Sequence, residues 1–361
     1  MDFNGKQGNA LKEVDRWYHE YKTSKRPLKQ IYYLLGYAGT GKTTLAKYFA
    51  ENINGEVLFG SFTGKAALVM AKNGCIGART LHSLLYIAKE NKKTGEVTYV
   101  LNPNSPLKGA SLLIVDECSM VDDDLGKDLL SFGVPVLVLG DPGQLPPIKG
   151  EGFFITDKPD FMLTEIHRQA KDNPIIYLAT EIRNGRIPEK GTYGNSSIVS
   201  SMKTSDLIEV DQVLVGRNTT RKLYNTKIRK LLGRNPVTPE VGDKIICLKN
   251  NKDLQIFNGG LFEIQEILKS SAKSQFFTFR LKSQDEDRIP FLARVHKSFF
   301  IHDVPVPHWK VLKGSCHFDY GAVITVHKAQ GSQWDKCFGE NKYKWLYTSV
   351  TRSIESVKLL I

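Results

Sequence analysis

Gly36-Tyr37-Ala38-Gly39-Thr40-Gly41-Lys42-Thr43 follows the aliphatic run Ile31–Leu35 and precedes a stretch, Thr44–Glu51, that reads as a helix. The spacing is G-x-x-x-x-G-K followed by Ser or Thr, in the strand, loop and helix setting that this phosphate-binding motif requires. Its glycines let backbone N–H groups turn inward around phosphate oxygens, and a helix N-terminus adds partial positive charge at the same place. Lys42 then reaches the β- and γ-phosphates of a nucleotide, and Thr43 ligates Mg²⁺. Gly39, Thr40, Gly41 and Thr44 complete the expected cradle. A glycine-rich turn that holds no nucleotide is the competing reading, and the flanking strand and helix weigh against it.

Working outward, Leu112-Leu113-Ile114-Val115 is a second aliphatic run, and it ends in Asp116-Glu117. A strand there delivers Asp116 to a sheet edge, where its carboxylate holds Mg²⁺. Glu117, one residue on, is placed to polarise an attacking water. A third run, Val136–Leu139, leads into Gly140-Asp141-Pro142-Gly143-Gln144. Gln144 is a candidate for sensing the γ-phosphate or positioning water, against the plainer reading of a Pro/Gly turn. Arg168 and Arg352 are candidate fingers for the charge that develops on a transferred phosphoryl group. Ordinary surface arginines remain the alternative for both.

The strands implied are continuous apolar runs, Ile31–Leu35, Val57–Gly60, Leu112–Val115 and Val136–Leu139. Such runs suit strands buried on both faces of a parallel sheet, whose ligands bind at the carboxyl ends. The 361 residues suit two compact domains with inserts. Segment 86–109 breaks the alternation and reads either as a projecting β-hairpin or as a surface loop. Val213–Val215 reads as a further strand before a basic helix, Asn218–Leu232, and Val241–Ile267 turns to short strands that suggest a β-barrel insert. Ala322–Val326 and Trp345–Arg352 both read as a buried strand followed by a loop.

Lys and Arg number 50 against 38 Asp and Glu, a net +12 that favours a polyanionic partner. The five cysteines are scattered and never form a C-x-x-C pair, which argues against a disulfide framework or structural zinc. No run reaches the roughly 18 apolar residues that a membrane span needs. The polar first residues lack a signal-peptide core, so a cytoplasmic protein of a bacterial or phage-infected cell is expected.

Taken in order, these blocks resemble the motif series of superfamily-1 helicases, in the branch of RecD and phage Dda, over nearly the whole chain. The resemblance implies an α/β fold of two RecA-like P-loop domains with parallel sheets. A hairpin insert in the first would be the strand-splitting pin, with Tyr99 as a candidate stacking residue, and an SH3-like β-barrel would interrupt the second. The expected boundaries are 1–170 for the first domain with its hairpin at 86–109, 171–240 and 315–361 for the second, and 241–314 for the barrel. ATP would be bound by Lys42, Thr43, Asp116, Glu117 and Gln144 of the first domain, with Arg352 from the second and Arg168 near the boundary. Phe3-x-x-x-Gln7-x-x-Ala10-Leu11 is similar to the adenine-reading motif, which assigns Gln7 to the base. Asn218 and Arg221 also match a family element.

Three further blocks match those that touch nucleic acid in the family. They supply Phe62, Thr63, Gly64 and Lys65; then Thr80 and His82; then Thr325, His327, Lys328 and Gln330. Hydroxyls and backbone N–H groups suit phosphates, and Phe62 and His82 suit stacking on bases without reading sequence. Core packing for Phe62 and plain solvation for Lys65 stay open. Tyr37 stands where the family often has Pro, and Cys118 where Ala or Val is common; neither bears on hydrolysis.

The function implied is ATP-dependent DNA unwinding, with translocation on single-stranded DNA in the 5′ to 3′ direction and ATP and Mg²⁺ as cofactors. The alternative is a translocase that strips bound proteins without processive unwinding. Expected partners are single-stranded DNA, its junctions with duplex, and replication or recombination proteins such as a single-strand binding protein, with the chain itself a monomer. A nucleotide kinase or a binding module with a vestigial nucleotide site would leave His82, His327 and the barrel, or the intact Lys42, Asp116, Glu117 and Gln144 set, unexplained.

Overall fold

The computed structural model describes every residue except 1–2, 4, 25–28, 91–96, 147–151, 157, 166–171, 252, 269–273, 302–304 and 341–343. The chain divides into two compact units, Met1–Arg186 and Ile187–Ile361. The first runs past residue 170 because the helix Pro174–Arg183 packs in it, with the Arg183 guanidinium on the Tyr37 ring.

The first unit is built on a sheet of β1 (Ile31–Gly36), β2 (Val57–Ser61), β3 (Arg79–Thr80), β6 (Leu112–Asp116), β7 (Val136–Gly140) and β8 (Phe161–Leu163), in the order β3-β2-β6-β7-β1-β8. Every adjacent pair is parallel. The four aliphatic runs of the sequence are four of these strands, and Leu112 to Val115 and Val136 to Leu139 are completely buried. Uninterrupted apolar character follows from burial on both faces. One face packs on α1 (Lys6–Thr23) and α2 (Lys42–Glu51), through Ala10, Val14, Leu45 and Phe49. The other packs on Leu81, Leu84, Leu125 and Leu129, which belong to α4 (Leu81–Leu85) and α5 (Asp123–Leu130).

The segment 86–109 does form a hairpin. β4 (Tyr86–Glu90) and β5 (Val97–Leu101) pair antiparallel from Tyr86↔Leu101 to Glu90↔Val97. The expected turn at Thr94-Gly95 lies outside the described residues. Tyr99 is 64% exposed on this hairpin.

The second unit holds a sheet in the order β17-β11-β18-β19-β10-β9. Its strands are β9 (Gly191–Tyr193), β10 (Ser196–Val199), β11 (Gln212–Val215), β17 (Val323–Thr325), β18 (Trp334–Glu340) and β19 (Ser353–Leu360). All pairs are parallel except β9 with β10. The basic helix forms as expected, as α7 (Asn218–Leu231), counting α3 (Gly64–Lys72) and Pro174–Arg183 as α6. One reading fails: Trp345–Val350 is not a strand but part of the helix Lys344–Val350. Leu346 to Val350 are all buried, the polar Thr348 and Ser349 included, and a short buried run does not distinguish a helix from a strand by its period.

Between β11 and β17 lies an antiparallel sheet ordered β15-β14-β13-β12-β16, made of β12 (Lys244–Cys247), β13 (Leu261–Leu268), β14 (Phe276–Ser283), β15 (Phe291–His296) and β16 (Phe318–Tyr320). The Cys316 N–H donates to the Arg294 carbonyl at 2.7 Å, so the chain entering β16 meets β15 and the sheet curls closed. Its interior is Ile245, Phe262, Ile264, Phe279, Leu281, Val295, Phe300 and Phe318. The last strand thus lies beyond residue 314. Helix α7 is tied to this body by buried charge: Arg229 and Arg234 both pair with Asp243, which also accepts the Glu240 N–H.

Candidate functional site

Because the first sheet is parallel, its carboxyl ends share one edge. The register sets Thr80, Ser61 and Asp116 side by side, and Gly140 beside Leu35. The chemistry found in the loops after separate strands is therefore brought together by strand pairing.

The phosphate loop leaves β1 at Gly36, whose missing side chain matters: a Cβ there would lie 2.8 Å from Leu163 Cβ. Gly39 and Gly41 take positive φ, 76° and 81°, a region that glycine enters without steric cost. Thr40 is fully buried and its hydroxyl donates to the Tyr37 carbonyl at 2.8 Å. Lys42 Nζ donates to the carbonyls of Gly36 at 2.8 Å and Tyr37 at 3.1 Å, so the ammonium lies over the loop. Gln7 reaches the same loop from α1, its amide nitrogen donating to the Thr40 carbonyl at 3.0 Å.

At the start of α2, Thr43 Oγ1 donates to Asp116 Oδ2 at 3.0 Å, and Asp116 Oδ1 accepts the Glu117 N–H at 2.8 Å. Burial raises the Asp116 pKa, and the neighbouring Glu117 charge adds to this; the Lys42 ammonium and the two hydrogen bonds oppose it. Glu117 sits at φ 52°, ψ 47°, left-handed backbone that is costly for a residue with a Cβ. Thr44 follows Thr43 in the first turn of α2 and is exposed. After β7, Asp141 Oδ1 accepts the Gly143 N–H at 2.9 Å and shapes the turn that carries Gln144. The side-chain oxygen of Gln144 is buried without a hydrogen-bond partner. Arg168 lies outside the described residues.

Three of the residues expected at nucleic acid are threonines, and all three cap helices. Thr63 accepts the Ala66 N–H at the start of α3, Thr80 accepts the Ser83 N–H at α4, and Thr325 accepts the Lys328 N–H at α9 (Val326–Ala329). Each is a strand-to-helix turn at a carboxyl edge, where free N–H groups point outward. Gly64 and Lys65 open α3, and Lys65 is only 6% exposed, which rules out the plainly solvated lysine. Phe62 and His82 meet edge to face at 5.8 Å, and His82 meets Tyr86 at 5.8 Å. Burial lowers the His82 pKa, with Asp122 acting against it. Phe62 is half-buried and packs against the core, so core packing and an accessible ring coexist.

In the second unit, His327 packs edge-on against Trp345 at 5.3 Å, and burial lowers its pKa. Lys328 has its pKa lowered by burial and by the Arg221 charge, while Asp319 acts to raise it. Arg221 is itself paired with Asp319 at 2.8 Å and takes the Asn218 side chain at 3.2 Å. Gln330 follows α9 and is buried. Arg352 does not join this group. It lies between the helix Lys344–Val350 (α10, with the short Trp309–Leu312 as α8) and β19, where its carbonyl accepts the Trp334 N–H at 2.9 Å. That is the amino edge of the sheet, whereas Thr325 ends β17 at the carboxyl edge. Asp319 escaped sequence reasoning because its pairing with Arg221 joins residues 98 apart and leaves no local pattern, and Tyr86, four residues from His82, was taken only as the start of the hairpin segment.

The AAA domain family matches residues 24–204. The ATP-dependent RecD2 DNA helicase of Deinococcus radiodurans is 35% identical over 341 residues, covering 85% of this chain and 42% of that protein. The ATP-dependent DNA helicase dda of phage T4 is 35% identical over 167 residues, covering 42% of this chain and 37% of that protein. The chain thus spans less than half the length of either relative. Among solved structures, a Bacteroides Pif1 helicase in complex with ADP-AlF3 and single-stranded DNA shares the fold, with TM-score 0.59, 18% identity, and 99% of this chain and 92% of that one covered.

Proposed function

Since this chain belongs to the AAA domain family and, within it, to the superfamily-1 helicases of the RecD and Dda type, we propose that it hydrolyses ATP to ADP and phosphate and uses the cycle to move along single-stranded DNA and unwind duplex. The observation that carries this reading is the joining of Lys42, Thr43, Asp116 and Glu117 at one sheet edge, through the Thr43 to Asp116 hydrogen bond.

The residues present fit a divalent cation. Thr43 Oγ1 and Asp116 Oδ2 converge, and Asp116 is a buried carboxylate beside a second acid, a place where a cation supplies the missing counter-charge. Thr43 and Asp116 would hold Mg²⁺, which neutralises charge on the β- and γ-phosphates when bound. Gly39, Thr40, Gly41 and Thr44 bind phosphate oxygens through the loop and the helix start. Lys42 exchanges its loop carbonyls for phosphate, and Gln7 reads adenine while bracing the loop at Thr40. Glu117 accepts the proton of the attacking water, and the buried oxygen of Gln144 orients that water. Arg352 and Arg168 neutralise charge on the γ-phosphoryl group as it passes to water and ADP leaves.

Phe62, Thr63, Gly64, Lys65, Thr80 and His82 bind DNA in the first unit, and Thr325, His327, Lys328 and Gln330 in the second. Alternation between these two groups, each biased by the nucleotide state, gives directed movement, in the 5′ to 3′ sense. The β4-β5 hairpin with exposed Tyr99 favours duplex splitting over protein stripping alone. A second domain interrupted by an SH3-like barrel goes with this reading, with the first domain carried past residue 170 to Arg186 and the barrel past residue 314 to β16. So do a cytoplasmic site of action, a monomer and a single-strand binding protein as partner.

The test is ATP hydrolysis with and without single-stranded DNA, at low and moderate salt, for the parent and Lys42→Ala. Strong stimulation that falls with salt and vanishes in the variant supports the motor. Turnover indifferent to DNA sinks it.

A further inference from the structure

The phosphate loop is held from outside by a contact that no part of the nucleotide chemistry requires. The guanidinium carbon of Arg183 lies 3.6 Å from the centroid of the Tyr37 ring, and both side chains are partly buried. At that distance the guanidinium is in close cation–π contact with the ring, well inside the roughly 6 Å limit for such interactions. Tyr37 is the second residue of the loop, and its backbone carbonyl is the loop's hub. It accepts Lys42 Nζ at 3.1 Å and the Thr40 hydroxyl at 2.8 Å, and also the Thr40 N–H at 3.4 Å.

Within the loop, Thr40 and Lys42 are themselves anchored on the Tyr37 carbonyl, with Gln7 bracing Thr40. Gly39 and Gly41 supply positive-φ turns at the cost of backbone freedom. Arg183, by contrast, is the last residue of a well-anchored helix. α6 begins with an Asn173 cap and Pro174, and it buries Ile175, Leu178, Ala179 and Ile182.

We propose that Arg183 is a positioning residue for the nucleotide site: by stacking on Tyr37 it holds the carbonyl hub of the phosphate loop in place, and so presets where Lys42 and Thr40 meet phosphate. Arg183 acts through the ring and touches no reacting atom. The inference rests on the reading of Gly36–Thr43 as an ATP-binding loop.

The experiment is a double-mutant cycle on the full chain, with Arg183→Ala, Tyr37→Ala and both together, plus Arg183→Lys. A fluorescent N-methylanthraniloyl ADP reports equilibrium affinity, and DNA-stimulated hydrolysis reports KM and kcat separately. Arg183→Ala should weaken ADP binding by about 3- to 10-fold and raise KM for ATP more than it lowers kcat. Arg183→Lys, which keeps a cation over the ring, should recover part of the loss and shows that the site still folds. The double variant should bind no worse than the weaker single one. If the two losses multiply, Arg183 acts on the nucleotide through its field and the inference is overturned; unchanged affinity in Arg183→Ala overturns it as well. Lys42→Ala, run alongside, reports on the underlying reading: parental hydrolysis by that variant would remove the ATP site itself, whatever the cycle shows.

Discussion

Thr43 Oγ1 donates to Asp116 Oδ2 at 3.0 Å, joining the first turn of α2 to the end of β6 across 73 residues of sequence. This bond places the hydroxyl and the carboxylate where one cation can take both. Glu117 is the next residue, and the proposed role for its carboxylate is proton transfer. Glu117→Gln should therefore keep nucleotide and DNA binding while turnover drops about 10²- to 10⁴-fold. Thr43→Ala should shift half-maximal hydrolysis to higher Mg²⁺. Steady-state rates over a Mg²⁺ titration check both, and parental turnover in Glu117→Gln would end the assignment.

The contact of Phe62 with His82, and of His82 with Tyr86, offers ring surface beside the β2 and β3 ends. Stacked bases are worth about 1–3 kcal/mol each on alanine substitution. His82→Ala should lose affinity for oligo(dT) in that range with an unchanged salt slope. Lys328→Ala should instead lower the slope of log K against log salt by about 1. Fluorescence anisotropy at several salt concentrations separates the two, and a Phe62→Ala variant that only melts earlier would return that ring to the core.

Tyr99 stands exposed on the β4-β5 hairpin. Tyr99→Ala, and a hairpin shortened at its tip, should impair strand separation on forked duplex far more than DNA-stimulated hydrolysis. Equal loss of both would show that the hairpin is not a splitting element.

Asp206 is 5% exposed and pairs with Lys358 of β19 at 2.7 Å. Burial alone would raise its pKa, but the Lys358 ammonium and the Lys203 N–H bind the carboxylate and hold it below 3.8. A depressed carboxylate contributes stability that is present above the unfolded value and lost as pH falls through the folded one. The second unit should thus lose this contribution only below pH 3.8. Asp206→Asn should cost about 1.5–3 kcal/mol at neutral pH and flatten the acid limb. Denaturant titrations at neutral and acid pH test this, and an unchanged acid limb in the variant would contradict it.

Where chemistry is contiguous, it was legible before any coordinates. Gly36 to Thr43 carries its strand, its glycines and its helix start within one short stretch, and Asp116-Glu117 arrives directly after four buried aliphatic residues. The parallel sheet was legible for the same reason, since strands buried on both faces must be apolar without interruption. Burial also misled: Leu346 to Val350 are buried within a helix, and burial on all sides erases the period that separates helix from strand. The hairpin at 86–109 stood level with a surface loop until its pairing was seen.

The sequence by itself determined which side chains can cradle phosphate, bind a cation and move a proton, and which runs must lie inside. Only the tertiary structure decided which strand ends are neighbours. It set Ser61 beside Asp116, paired Arg221 with Asp319, laid Arg183 on Tyr37, and put Arg352 at the opposite sheet edge from Thr325. The physical reason is range. Backbone propensity and periodicity act over a few residues, whereas these contacts join segments far apart in the chain and are selected by the packing of whole sheets and helices.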